Sequence, residues 1–122
     1  MEMNGVVGEI GYGNLFAGTS VPVNVKSVSL KSGQGLVVRG TVLAIETATG
    51  LAVKVDSTKT GGVESADCIL TDDVDTTAGA VASTAYSSGL FNRNALIFGG
   101  TDTAAKHEKT LRTLGIYLKE NL

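Results

Sequence analysis

Val42-Leu43-Ala44-Ile45-Glu46-Thr47-Ala48-Thr49-Gly50-Leu51-Ala52-Val53-Lys54-Val55 is the stretch on which the fold class turns. The apolar run Val42 to Ile45 stops at Glu46, and Thr47 to Gly50 reverses the chain. Leu51, Val53 and Val55 then alternate with Ala52, Lys54 and Asp56, the period-two pattern of a strand. Strand, reversal and strand make a hairpin, so the chain reads as β-rich. Upstream, Ser32-Gly33-Gln34-Gly35 is a turn, and Leu36 to Ile45 is a strand-forming stretch interrupted by Arg39 and Gly40. Earlier still, Val21, Val23 and Val25 alternate with Pro22, Asn24 and Lys26. Pro22 cannot donate to a ladder, which places it at a sheet edge or a strand start. The apolar register then shifts to Val28 and Leu30, which predicts a bulge or bend near Lys26 and Ser27.

Downstream of the hairpin, Ser57 to Ser65 reads as a surface loop, Cys68 to Leu70 as a short strand, and Thr71 to Gly79 as an acidic turn region. Ala80 to Tyr86 is a strand with Val81 and Ala85 on one face, and Ser87-Ser88-Gly89 is a turn before Leu90 and Phe91. The last third is the helical part. Asn92 is placed to cap a short turn carrying Ala95 and Leu96, and Asp102 to cap a helix of about three turns beginning near Thr103. Ala104, Leu111 and Leu114 share one side of that helix, Glu108 precedes Arg112 by four, and Gly115 fits the position just past the end. Ile116, Tyr117 and Leu118 form a final apolar segment.

The chain has 122 residues, enough for one domain, but it carries 16 glycines, no Trp and few aromatic residues. A core so poor in bulky groups is thin, and sharing buried surface with copies of itself is one remedy. Residues 1–20 are Gly-rich and polar with isolated apolar positions at Val6, Val7, Ile10, Tyr12, Leu15 and Phe16, so they read as a flexible N-terminal arm on a single domain, 21–122. The net charge of −2 and the scattered Lys and Arg give no stripe for a phosphate backbone, which argues against a nucleic-acid partner. The apolar runs are too short to cross a membrane, and the N-terminus has neither the basic segment nor the apolar stretch of a signal peptide; a soluble protein of the cytosol is expected.

Residues that could carry chemistry lack partners. Cys68, alone in the chain, cannot form an internal disulfide, and Ala66-Asp67-Cys68-Ile69-Leu70 suits a buried strand residue. Asp72, Asp73 and Asp75 could suggest a cation site or an acid/base pair, but their spacing does not match an EF-hand loop and a solvated turn accounts for them. His107, between Lys106 and Glu108, is expected to face solvent. Gly33-Gln34-Gly35 and Gly11-Tyr12-Gly13 have no helix after them to hold a phosphate. Arg93, flanked by Asn92 and Asn94, could be an anion or partner contact. Catalytic, metal and cofactor residues are therefore all expected to be absent, and with them any small-molecule substrate.

Ser32-Gly33-Gln34-Gly35, Arg39-Gly40-Thr41-Val42-Leu43, the hairpin around Gly50, Ile69-Leu70-Thr71-Asp72-Asp73-Val74-Asp75 and Gly89-Leu90-Phe91-Asn92-Arg93-Asn94-Ala95-Leu96, in this order, resemble the lambda-type bacteriophage head decoration protein family. Thr110-Leu111-Arg112-Thr113-Leu114-Gly115-Ile116-Tyr117-Leu118 is similar to that family's terminal helix and strand, and the likeness covers roughly residues 27 to 118. The resemblance implies a mainly β (α+β) subunit, a small irregular β-barrel or β-tulip with a loose N-terminal arm and one or two short C-terminal helices. It implies a non-enzymatic homotrimer that caps three-fold sites on the outside of the expanded head, assembled in the host cytoplasm. Its partners would be the major capsid protein and itself.

In this chain Met1 to Val25 occupies the place of the family's coat-gripping arm, and it is the part that matches least. The Val21-Pro22-Val23-Asn24-Val25 edge suits addition of a strand to another sheet. The residues expected to bind the capsid are Leu15, Phe16, Val21, Pro22, Val23 and Val25, and those expected at the trimer interface are Leu90, Phe91 and Leu96. The competing reading is a small β-barrel carbohydrate-binding module displayed on a virion or cell surface, for which the aromatic supply is thin.

Overall fold

The computed structural model describes residues 15–18 and 20–119; the expectations for Val6, Val7, Ile10 and the Gly11-Tyr12-Gly13 triplet fall outside them. Among the described residues these elements follow in chain order: β1 (Asn24–Leu30), β2 (Leu36–Val37), β3 (Val42–Ile45), β4 (Ala52–Lys54), β5 (Cys68–Leu70), β6 (Val74–Asp75), β7 (Val81–Asn92), a 3-10 turn (Arg93–Ala95), α1 (Ala104–Thr113) and β8 (Ile116–Lys119). The hairpin that decides the fold class is β3–β4, antiparallel with Leu43 opposite Lys54 and Ile45 opposite Ala52. Five strands close a ring in the order β1-β4-β3-β5-β7, and the ladder between β7 and β1 completes it. The chain is thus mainly β, built on a small barrel. β8 runs parallel to the far half of β7 after the crossover through α1, and β2 pairs with β6 in a separate two-stranded sheet.

The barrel wall is covered on both sides, which explains why β3 and β5 read as continuous apolar runs. Leu43, Cys68 and Leu70 point inward with Val28, Leu30 and Ala85. Val42, Ala44 and Ile69 point outward into a second core, completed by Leu15, Phe91, Leu111 and Ile116. Ile69 and Leu70 are adjacent, both fully buried, and serve different cores; each such side chain contributes roughly 1.5–3 kcal/mol. A chain with few bulky residues therefore gains two cores from one layer of strands.

Several local expectations are corrected. First, the strand starts at Asn24, not Val21. Ser88 is the cause: its hydroxyl donates to the Pro22 carbonyl (2.8 Å) and accepts from the Asn24 backbone N–H and side-chain amide (3.1 and 2.9 Å). Second, no bulge lies at Lys26 and Ser27; the register with β7 is unbroken from Val25 to Leu30, and the shift sits between Asn24 and Val25. The change of apolar register arises because Val25 faces outward while Val28 and Leu30 face into the barrel.

Third, Ser87-Ser88-Gly89 is not a turn: β7 passes through it because β1 pairs on as far as Ser88 and β8 takes over at Gly89. Gly89 has φ 149°, and a Cβ there would lie 2.9 Å from the Phe91 ring. Fourth, Asp102 does not cap α1. Thr103 is the N-cap residue, without a side-chain cap bond, and the Asp102 carboxylate is committed elsewhere. The Glu108–Arg112 pair and the glycine stop hold, with Arg112 reaching Glu108 at 3.6 Å and Gly115 following the helix with φ 93°, but Leu114, expected on the side of Ala104 and Leu111, is the C-cap residue and 46% exposed. Asn92 accepts from the Asn94 N–H at the 3-10 turn.

Candidate functional site

Leu15 to Gly18 reaches the body of the protein, although it was expected to belong to a detached arm. Leu15 is 4% exposed and sits in the outer core. Phe16 forms a bridge with Phe91, and the Ala17 N–H donates to the Leu90 carbonyl at 3.0 Å. The Phe16 ring stacks on Phe91 (centroids 4.9 Å, 29° between planes) and meets Tyr86 edge-on (5.1 Å, 79°). The Arg39 guanidinium lies 6.0 Å from the centroids of both Phe16 and Tyr86 and donates to the Tyr86 hydroxyl at 3.3 Å. Sequence reading missed this cluster because Leu15-Phe16-Ala17 is a short apolar run in a Gly-rich segment with no strand or helix period; its packing partners come from β7 and the Arg39–Gly40 turn.

The other residues expected to bind a partner are distributed as follows. Val21 is half-buried and Pro22 exposed, while Val23 and Val25 are 45% and 58% exposed, high for valines. All four lie on one stretch leading into β1. On its far edge β1 pairs with β4 through the single register pair Leu30–Ala52, so Asn24 to Ser29 have no strand partner on that side among the described residues. Leu90 is half-buried, Phe91 is fully buried and Leu96 is 9% exposed; the last two pack within the subunit's own outer core. Tyr117, 40% exposed, is the register partner of Leu90 on β8 and shares its face.

The residues weighed for chemistry are held in local structure. The Asp73 carboxylate accepts the Arg39 N–H (2.8 Å), Asp72 accepts the Thr71 hydroxyl (2.9 Å) and Asp75 accepts the Thr77 N–H (2.9 Å). Bonds from the Thr77 side chain and backbone hold the Asp75 carboxyl below the usual carboxylate range. The described residues contain no group of three His, Cys, Asp or Glu side chains that could hold a metal. Cys68 is buried, and burial pushes its thiol up to about 12, with the Asp67 charge adding to the effect. Arg93 donates to Glu108 at 2.7 Å.

His107 corrects a further expectation: it is 3% exposed, not solvent-facing. Its Nε2 is hydrogen-bonded to Asp102 Oδ2 at 2.7 Å, and its ring stacks on Phe98. Asp102 also accepts the Ser57 N–H (2.7 Å) and hydroxyl (2.6 Å). Burial acts to raise the Asp102 pKa, but the bonds from Ser57 and His107 outweigh it and hold the carboxyl at about 2. The order of contacts is Ser–Asp–His, with the serine on the carboxylate and not on the imidazole. A nucleophile activated by histidine needs the imidazole between the hydroxyl and the carboxylate, so this trio ties the 57 loop to α1.

No curated protein matches the chain by sequence. A family model described as bacteriophage lambda head decoration protein D matches residues 11–116, from before the Phe16 cluster to the first residue of β8. The match spans most of the chain, including both cores, and the chain belongs to the bacteriophage lambda head decoration protein D family.

Proposed function

We propose that this head decoration protein binds the outer surface of the expanded phage head as a homotrimer at three-fold positions, and stabilises the shell by tying neighbouring coat subunits together without catalysis. The observation that carries the reading is the stretch from Val21 to Val25. It presents two exposed valines beside a proline, leading into a strand whose far edge has no strand partner from Asn24 to Ser29 among the described residues. An open edge offers backbone donors and acceptors to an extended segment, and the valines supply apolar contact. The coat protein is the proposed partner of this edge, together with the chain that precedes it.

For self-association, Leu90 with Tyr117 beside it on the outer face of β7–β8 is the proposed contact; Phe91 and Leu96 support that face from beneath. The test uses light scattering for mass, then co-sedimentation with undecorated expanded heads for the full chain and for Val25→Lys. A trimer whose head binding falls at least tenfold in the variant, with an unchanged melting temperature, supports the reading. A monomer, or equal binding by both proteins, overturns it.

A further inference from the structure

Arg39 lies in the turn between β2 and β3 and is the charged residue of the aromatic cluster around Phe16. Its guanidinium is equidistant from the Phe16 and Tyr86 rings and bonds the Tyr86 hydroxyl, while its own backbone N–H is fixed by Asp73. Next to it, Gly40 has φ 92°, and a Cβ there would come within 3.3 Å of the Leu15 side chain. On the other side Ala17 is bonded to Leu90, and Gly18 packs so that an added Cβ would lie 3.1 Å from the Leu90 side chain. Four consecutive residues are thus held by a ring stack, a cation over two rings, one backbone hydrogen bond and close backbone approach.

We propose that Arg39 is a positioning residue for head attachment: it pins Phe16 against Tyr86 and Phe91, and so holds Leu15 to Gly18, the chain just before the Val21–Val25 stretch, on the body. This rests on the reading that the N-terminal chain and the β1 edge contact the coat. A pin is needed because a pull from a bound coat subunit would otherwise peel Leu15 and Phe16 from the outer core. Several weak contacts around one ring resist peeling together, since the ring cannot leave without losing all of them. The cation also covers the ring plane where the half-buried cluster meets water.

The experiment uses full-length Arg39→Ala, Phe16→Ala, Arg39→Lys and the Arg39→Ala/Phe16→Ala double variant. Amide hydrogen exchange at Ala17 reads the pin without heads. It should accelerate roughly fivefold or more in Arg39→Ala, the size of one half-desolvated cation–π contact, while amides of β3 and β5 keep their protection. Arg39→Lys should recover part of the loss, because an ammonium keeps the charge but not the planar contact with two rings. Retention on expanded heads should fall in the same order, and the double variant should be no worse than Phe16→Ala alone. Unchanged exchange at Ala17 overturns the pin itself. Additive losses in the double variant overturn the route through Phe16. Faster exchange with unchanged head retention overturns the role of Arg39 in attachment, whereas the coat-facing reading falls only if Val25→Lys also binds heads as the parent does.

Discussion

Two N-terminal truncations that differ by six residues should behave very differently. Removing residues 1–14 takes away none of the described core. Removing residues 1–20 also takes Leu15, which is 4% exposed, and Phe16, which contacts both Phe91 and Tyr86. Loss of a buried leucine costs about 2–5 kcal/mol, and the half-buried phenylalanine adds about 1–2 kcal/mol from area and ring contacts. The sum, about 3–7 kcal/mol, is comparable with the whole stability of a small domain, about 5–15 kcal/mol. At about 4 °C per kcal/mol for a domain of this size, the shorter protein should melt roughly 12–28 °C lower or fail to fold. The assay is thermal and urea unfolding of both truncations and the full chain at one fixed concentration, because oligomerisation makes melting concentration-dependent. Equal melting of the two truncations would refute the placement of Leu15 and Phe16 in the core. Unchanged melting with weakened head binding on removal of 1–14 would mark the boundary between arm and body.

Other outcomes follow from single groups. The Asp102 carboxyl titrates at about 2 instead of the usual 3.8, so its stabilisation is complete above about pH 4 and is lost as the pH falls through about 2; urea midpoints from pH 5 to 2 should drop less steeply in Asp102→Asn than in the parent. Cys68, buried and pushed up to about 12, should react with a thiol reagent at pH 8 only when the protein is unfolded, and rapid stoichiometric labelling of the native protein would contradict this. Gly62→Ala should cost about 1–3 kcal/mol, because φ is 97° and the new Cβ would lie 2.4 Å from the Ile45 carbonyl oxygen; a urea midpoint equal to the parent's would refute it.

The elements that were legible in the sequence are those specified by their own neighbours. The β3–β4 hairpin, the Cys68–Leu70 strand and the helix stop at Gly115 all depend on residues a few positions away. What was not legible depends on distant chain. His107 looked solvent-facing because it sits between two charged residues, although it lies three residues after Ala104 and four before Leu111, on the side they share; Asp102, Phe98 and the Ser57 loop complete its burial. Ser87-Ser88-Gly89 has turn composition, but β1 and β8 supply the ladders that keep it extended. Of the candidate surface, Val25 follows the alternation of β1, while Val23 lies before the strand and its exposure could not be read from the pattern. Nor could the burial of Phe91, since Phe16 and Tyr86 cover it from elsewhere in the sequence.

The β1–β7 ladder also sets when the protein can become itself during synthesis. Its outermost contact joins Asn24 to Ser88 across 64 residues, so the barrel stays open until most of the chain has left the ribosome. Until then β1 has only its Leu30–Ala52 pairing, and both faces of β5 lack part of their cover. A closure of such long range is slow to find, because the loop entropy precedes the contacts that offset it. Once made, the same ladder keeps the barrel shut: the inner core cannot come apart without losing the seam, and the lifetime of the folded barrel on a virion is then a matter of how rarely that seam opens.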